Sequence, residues 1–221
     1  HTAGGLSCSL ENSNQVKIMW SDKYRQLTEE AIAEANRLGA KNKSKISPYQ
    51  RITDQEIDEI RSAIFSGFHL TLERIIPTWW GTQCQSLATM IFAHLTVNGF
   101  NADIVIGEVD VMGNLEYDTT LENIRKDYLN PDHNNPQSIH AWVTIGDDLI
   151  IDAGLSARLV KYYKMPANQD PRIIIERADF IFEGLHSKHY PMFVGTDFIA
   201  KTNTHDPLDL VKEIKHRSNF Q

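Results

Sequence analysis

The hydrophobic period of this chain changes at Asn98-Gly99, and that change limits the folds open to it. Before this point, apolar residues recur every three or four positions, as on the buried face of an amphipathic helix. After it, the stretch ADIVIGEVDVM (residues 102–112) is rich in β-branched residues and alternates, as strands do. We therefore predict an α+β fold in which a helical N-terminal half packs on an antiparallel sheet.

Three helices are predicted in the front half. Ser21 caps the first, over residues 22–38, and the capping box TDQE at residues 53–56 opens the second. A T-x-x-Q box at Thr82 and Gln85 makes Thr82 the N-cap of the third, which ends at Asn98-Gly99. This third helix is the predicted central element of the fold.

The back half is predicted to be mainly strand. A short helix over residues 121–129 precedes IHAWVTIGDDLIIDAG (139–154), which has two apolar runs around a turn and indicates a β-hairpin. The stretch PRIIIERADFIFEG (171–184) predicts further strand, and Asp206-Pro207 starts a last helix that ends near residue 215.

Length and charge exclude several classes of protein. A chain of 221 residues can bury one core, so we predict a single domain over residues 19–221, with residues 1–18 as a cleaved leader or a segment added for expression. A net charge of -7 opposes nucleic-acid binding, and no apolar run is long enough to span a membrane. Two cysteines form no disulfide framework, so a cytoplasmic location is expected.

Cys84 is the first candidate for chemistry. A lone cysteine on an amphipathic helix is usually part of the packing. The predicted cap, however, makes Cys84 the second helical residue, where unpaired N–H groups and the macrodipole stabilise a thiolate or an oxyanion. The apolar stripe, which starts at Leu87, is complete without it. We therefore predict that Cys84 lies at the exposed helix tip and is a nucleophile.

A thiol nucleophile needs a base, and His140 is the best placed of the nine histidines. It begins the predicted strand HAWVTI, whose partner strand ends in Asp152. His186 and His189 form an H-x-x-H pattern, but in a predicted loop without a third ligand this is weak support for a metal site. Neither a metal nor a cofactor is expected.

The loop of the predicted hairpin decides whether Asp152 can reach His140. Side chains alternate across a strand, so His140, Trp142 and Thr144 share one face. A three-residue loop over 146–148 places Asp152 opposite Trp142 and on that same face, whereas a two-residue loop places it on the other. A catalytic pair of His140 and Asp152 requires a loop with an odd number of residues; with an even number, Asp152 only ends a strand.

Together, Cys84, the HAWV stretch at residues 140–143 and Asp152 resemble the transglutaminase-like superfamily of papain-type cysteine enzymes. In that family a cysteine opens the central helix, and the histidine and aspartate lie on adjacent antiparallel strands. The resemblance covers residues 79–154. Gln85 stands where many transglutaminases have an aromatic residue. The order of a helical front half, then cysteine, histidine and aspartate, is also similar to that of arylamine N-acetyltransferases, although their Arg-Gly-Gly-x-Cys signature is absent.

The resemblance implies a catalytic triad and acyl transfer through a thioester. His140 would take the thiol proton of Cys84, Asp152 would orient the imidazole, and the sulfur would attack an amide or thioester carbonyl of a peptide, protein or small molecule. Water or an amine would then resolve the thioester, in hydrolase or acyltransferase chemistry. Related sites hold the oxyanion with the cysteine N–H and a side-chain donor, for which the candidates are Trp79, Trp80 and Gln83.

Two other functions stay open. The chain could be an amine acyltransferase like the arylamine N-acetyltransferases, or it could use the same fold as a binding module without turnover. The oligomeric state is open too, as is whether residues 155–221 cover the site or mediate dimerisation.

Overall fold

The chain is described here from a computed structural model, which covers residues 19–133, 137–166 and 172–218. The predicted leader, residues 1–18, lies outside the described residues, together with Cys8. Within the described ranges, no helix combines the length and apolar character needed to cross a membrane.

Four helices precede the first strand of the described chain, and strands and helices are mixed after it. The helices are α1 (Trp20–Arg37), α2 (Asp54–Phe65), α3 (Phe68–Ile75), α4 (Cys84–Val97), α5 (Leu121–Leu129), α6 (Leu155–Tyr163), α7 (Ala178–Leu185), α8 (Asp197–Thr202) and α9 (Pro207–Ser218). The strands are β1 (Ala102–Val111), β2 (Asn114–Leu115), β3 (His140–Ile145), β4 (Leu149–Asp152), β5 (Ile174–Arg177) and β6 (Ser187–Val194). The predicted α+β class is confirmed.

All strand pairs in the sheet are antiparallel, with β3, β4 and β5 in succession beyond β1. Residues 105–107 of β1 pair with both β3 and β6, and residues 110–111 pair with both β2 and β6. The strands β2 and β3 therefore lie one after the other along one edge of β1, with β6 along the opposite edge. This arrangement brings the end of β2 towards the start of β3.

Two hydrophobic clusters pack on the two faces of the sheet. Leu87 of α4 packs with Ile104 and Val143 on one face. Tyr24 of α1 packs with Val105 and Trp142 on the other. The buried side chains alternate between the clusters along β1 and β3, as a period of two requires for a sheet covered on both sides. Burial of these apolar groups is the main stabilising contribution to the fold.

Sequence signals for helix starts are confirmed where no distant residue competes for the capping side chain. The Thr53–Glu56 capping box is confirmed, with the Glu56 N–H donating to Thr53 Oγ1 over 3.2 Å and the Thr53 N–H donating to Glu56 Oε2 over 2.7 Å. The predicted Ser21 cap is wrong. The helix begins at Trp20, and Ser21 Oγ instead donates to Asp148 Oδ2 over 2.6 Å.

The prediction of strand over residues 171–184 is correct only for β5. From Ala178 the chain forms α7, because its apolar residues follow a helical period on one face, with Ala178 and Ile181 buried. Phe180 and Phe182 belong to the exposed large hydrophobic side chains. The short helix predicted over residues 121–129 is confirmed, and the last helix extends past its predicted end to Ser218.

The hairpin has the three-residue loop that the catalytic interpretation requires. Ile145 pairs with Leu149 and Val143 with Ile151, so the register places Trp142 opposite Asp152. A buried ion pair holds the loop, since Arg177 Nη1 donates to Asp148 Oδ1 over 2.9 Å. Because side chains alternate, this register places Asp152 on the face of His140.

Candidate active site

Helix α4 begins at Cys84, one residue later than predicted, so Cys84 is the first helical residue and not the second. Thr82 lies in a 3₁₀ turn over Trp80–Thr82, and Gln83 occupies the N-cap position without a side-chain cap. The predicted T-x-x-Q box does not form. The Gln85 side chain instead donates to Gln137 Oε1 over 3.1 Å and accepts a bond from Asn203 Nδ2. The N–H groups of the first helical turn, that of Cys84 included, therefore have no acceptor within the helix.

Cys84 is buried, with 7% of its surface exposed, which corrects the prediction of an exposed helix tip. Other segments cover the end of the helix. The Cys84 thiol donates to the Ile139 carbonyl oxygen at 3.6 Å, immediately before β3. A methyl group added at Gly154 would lie 3.3 Å from both Cys84 Cβ and His140 Cε1. Cys84 and the imidazole of His140, the first residue of β3, therefore lie beside the same glycine.

His140 and Asp152 form a fully buried pair. His140 Nε2 lies 2.6 Å from Asp152 Oδ2. The other oxygen, Oδ1, accepts bonds from the Gly154 and Leu155 N–H groups at 2.9 and 3.0 Å, where α6 begins. The carboxylate is therefore fixed at both oxygens. Because Nε2 of His140 is occupied, Nδ1 is the nitrogen that remains for the thiol.

A second histidine, His189, shares the same carboxylate. Its Nε2 atom lies 2.9 Å from Asp152 Oδ2, and its side chain is fully buried. The sequence placed His189 in a loop, but it belongs to β6 at a position opposite Val109. Its partner in the H-x-x-H pattern, His186, lies at the C-terminal end of α7 with a positive φ of 48°. An inward polar residue in an alternating strand was the signal that could have identified His189.

The two histidines carry different charges at neutral pH. Burial lowers the pKa of His140, but the charge and hydrogen bond of Asp152, with a further contribution from the Cys84 thiol, raise it to about 10. Burial lowers the pKa of His189, and its hydrogen bond to Asp152 offsets this only in part. Burial disfavours the Asp152 carboxylate, yet His140 holds the pKa of Asp152 well below its usual range. The result is an imidazolium at His140, a carboxylate at Asp152 and a neutral imidazole at His189.

Tyr117, which the sequence did not single out, covers His140. Its ring stacks on the imidazole with centroids 4.8 Å apart and an interplanar angle of 17°. The guanidinium of Arg158 lies over the same tyrosine ring, 4.6 Å from its centroid. The hydroxyl of Tyr117 is buried and has no hydrogen-bond partner among the residues that the structure describes. Burial raises the pKa of this phenol, and the charges of Cys84 and Asp152 raise it further, so the hydroxyl keeps its proton as a donor.

The position of Tyr117 is set by a buried carboxylate. Glu108 of β1 is 2% exposed and accepts backbone N–H bonds from Glu116, Tyr117 and Thr119 at 3.2, 3.0 and 2.5 Å. These bonds hold the segment that leaves β2 against the start of β3. No local sequence pattern predicts such a contact, because it depends on which edge of β1 the two strands share.

The three predicted oxyanion donors have different surroundings. Trp79 Nε1 donates to the Ala157 carbonyl over 3.4 Å, and Trp80 Nε1 donates to the Ile76 carbonyl over 3.0 Å. Both indole N–H groups are therefore engaged, and the two rings line a cleft beside α6. Gln83, half-buried at the N-cap position, directly precedes Cys84 and remains a predicted donor.

His140, Asp152 and His189 could also be considered as metal ligands, since their donor atoms lie within 4.8 Å of one another. In the structure, however, both Nε2 atoms lie within hydrogen-bonding distance of the same oxygen, Asp152 Oδ2. A metal would have to replace the protons in both contacts. Four N–H donors already satisfy this carboxylate, so the geometry favours proton sharing.

Comparison with known proteins leaves the function to be inferred from this geometry. No family model, curated protein or solved structure matches the chain. The structure brings Cys84, His140 and Asp152 together as the sequence predicted and adds His189 and Tyr117 to them. A thiol, a charged imidazole and a fixed carboxylate, arranged in this order, are suited to nucleophilic chemistry.

Proposed function

We propose that this chain is a cysteine enzyme of the transglutaminase-like, papain-type kind, which transfers acyl groups through a thioester on Cys84. The observation that carries the proposal is the contact between His140 Nε2 and Asp152 Oδ2 at 2.6 Å, with the thiol close enough to raise the pKa of that imidazole. A cysteine at a helix start, followed by a histidine and an aspartate on adjacent antiparallel strands, also follows the order of that family.

Acylation would start from an ion pair. With its pKa raised to about 10, His140 is protonated at neutral pH, and its charge would stabilise a Cys84 thiolate formed beside it. The Cys84 sulfur forms a bond to the carbonyl carbon, and the π electrons move to the oxygen. When the tetrahedral intermediate collapses, the bond to the leaving group breaks and His140 gives its proton to the departing amine or thiolate.

Two donors are proposed to hold the oxyanion. The Cys84 N–H has no acceptor within its helix and lies at the positive end of the α4 dipole. The Tyr117 hydroxyl would supply the second bond, since it is buried, protonated and without a partner among the described residues, on a ring that stacks on His140. Gln83 is the alternative second donor. Loss of one such donor typically lowers kcat by roughly 10²- to 10³-fold.

Deacylation reverses these roles. The thioester leaves His140 neutral, and its free imidazole nitrogen takes a proton from water or an amine as that nucleophile attacks the thioester carbon. The second tetrahedral intermediate expels the Cys84 thiolate and restores the ion pair. Water gives a hydrolase and an amine gives an acyltransferase, while Asp152 keeps the imidazole oriented throughout.

Alkylation by iodoacetamide tests the nucleophile. We expect a single site, identified by peptide mass spectrometry as Cys84, to react near pH 6 much faster than a model thiol, because the ion pair supplies thiolate there. Cys84→Ala should abolish this labelling. Cys8→Ala is the matched control and should leave it unchanged.

Acyl probes then test turnover. A panel of thioesters, with and without an added amine, should give a Cys84-bound acyl adduct, and dependence of the product on the amine separates transfer from hydrolysis. Alkylation no faster than that of a model thiol would refute the proposed enzymatic function and leave a binding module as the remaining interpretation. A preference for aromatic amines with an acetyl donor would instead favour the arylamine N-acetyltransferase alternative.

A further inference from the structure

A cleft of about 650 Å³ lies between the chain that leads into α4 and the helix α6. One wall contains Pro77, Trp79 and Trp80, and the other contains Ala157, Val160 and Lys161. The mechanism proposed above assigns no role to this cleft. Its size is that of a site for a small molecule or for one side chain of a larger one.

Both walls of the cleft belong to segments that continue to residues next to the thiol. The 3₁₀ turn that starts at Trp80 runs through Gln83 directly into Cys84. The other wall, α6, starts immediately after Gly154, where an added methyl group would lie 3.3 Å from both Cys84 Cβ and His140 Cε1. The cleft is therefore bounded by the two segments that flank the thiol.

The walls are largely apolar, and the central aromatic ring is fixed. Trp79 donates its indole N–H to the Ala157 carbonyl, and its ring packs edge-on against Tyr162 with centroids 5.8 Å apart. Pro77 and Val160 add aliphatic surface. A hydrocarbon chain is the ligand part that this surface would bind, through loss of water from both sides.

One positive charge at the cleft lacks a carboxylate partner within the described part of the chain. Lys161 Nζ lies 3.9 Å from the centroid of the Trp79 ring and 5.2 Å from that of Tyr162. The other cation of the lining, Arg172, forms an ion pair with Glu73. In a chain whose net charge is -7, a cation over an aromatic wall is a local attractor for an anionic group.

We propose that the acyl group carried by Cys84 is a dicarboxylic one, in which a hydrocarbon chain ends in a free carboxylate that pairs with Lys161. This inference rests on the proposed thioester chemistry and adds the substrate class. The carbonyl to be attacked would lie at the sulfur, the methylene chain along Trp79 and Val160, and the distal carboxylate at the ammonium. The bonds made and broken are those of the acylation already described.

Adipoyl and hexanoyl thioesters of N-acetylcysteamine test this directly, because they differ mainly by a terminal carboxylate in place of a methyl group. Thiol release gives kcat/KM for each. We expect the wild-type chain to prefer adipoyl by about two- to fivefold, as for one ion pair at an exposed lysine, with the preference shrinking as salt is added. Lys161→Met should bring the ratio close to one, and Lys161→Arg should keep a preference.

Lys126→Met is the matched control, since it removes an exposed lysine on α5, outside the cleft, and should retain the wild-type ratio. Equal kcat/KM for the two thioesters, with Cys84 acylated by both, would overturn the dicarboxylic assignment and leave the thioester chemistry intact. An adipoyl preference that survives in Lys161→Met would overturn the role of Lys161.

Protection from alkylation covers the case in which neither thioester is turned over. Adipic acid monoamide should then slow the iodoacetamide reaction of Cys84 more than hexanamide does, and equal protection would overturn the assignment. Absence of both turnover and fast alkylation would instead refute the proposed function itself.

Discussion

Replacing Asp152 with asparagine tests whether this carboxylate sets the charge of His140. The change removes one negative charge while keeping the size and one acceptor oxygen of a fully buried side chain. In the native site, burial lowers the pKa of His140, but Asp152 and the thiol raise it from 6.5 to about 10. That difference corresponds to roughly 5 kcal/mol in favour of the imidazolium.

Without the carboxylate, burial favours the neutral ring, so we expect the pKa of His140 in Asp152→Asn to fall to about 6.5 or below. The assay is an NMR pH titration of protein labelled with ¹⁵N-histidine. With the imidazole neutral, the thiol would lose its ionic partner, and alkylation of Cys84 at neutral pH should slow by at least about tenfold.

The matched control is Asp103→Asn, which changes another buried aspartate, one bonded to the Ser44 hydroxyl and the Lys45 N–H away from the site. It should leave the His140 titration unchanged. Thermal melting would establish that both variants fold. The reasoning is refuted if His140 in folded Asp152→Asn titrates at the wild-type pH, or if His140 of the wild-type chain titrates near its ordinary value.

Three further outcomes are expected. Gly154→Ala adds a methyl group 3.3 Å from the β-carbon of the nucleophile and from the His140 ring, so alkylation should slow at least about tenfold, whereas Gly184→Ala, with nothing within 4 Å, should leave the rate unchanged. Tyr117→Phe keeps the ring stack but loses the hydroxyl. It should therefore lower the acylation rate by about 10²-fold and spare alkylation, which forms no oxyanion; equal losses would contradict its proposed role. Finally, two histidines should make the stability of the fold depend on pH. The raised pKa of His140 contributes stability that is complete below about pH 6.5 and is lost as the pH rises through about 10. The lowered pKa of His189 contributes stability that is present above about pH 6.5 and is lost as the pH falls below that value. Urea denaturation should show the free energy of unfolding highest near pH 6.5, and a flat profile would contradict both assignments.

The sequence was most informative where a signal is local. The capping box at Thr53 and Glu56, the stop at Asn98-Gly99 and the turn between the two strands of the hairpin all depend on residues within a few positions of one another, and all three appear in the structure. The pairing of His140 with Asp152 follows from that loop, because alternation carries the register along both strands.

The sequence was least informative about side chains with distant partners. Ser21 was assigned to a cap, but Asp148, far along the chain, competes successfully for its hydroxyl. The predicted box at Thr82 fails for the same reason, since Gln137 and Asn203 bind the side chain of Gln85. A capping preference of about 1 kcal/mol is easily outweighed by such contacts.

The sequence by itself determined the α+β class and the helix that carries Cys84, because each follows from a short-range hydrophobic period. The length of the hairpin loop, and with it the face that His140 and Asp152 share, was decided by the structure. Only the tertiary structure decided that Cys84 is buried, that His189 shares the carboxylate and that Tyr117 covers the imidazole. These contacts depend on which strands lie beside β1 and on what covers the start of α4. The packing of segments far apart in the chain fixes both, and no local pattern encodes it.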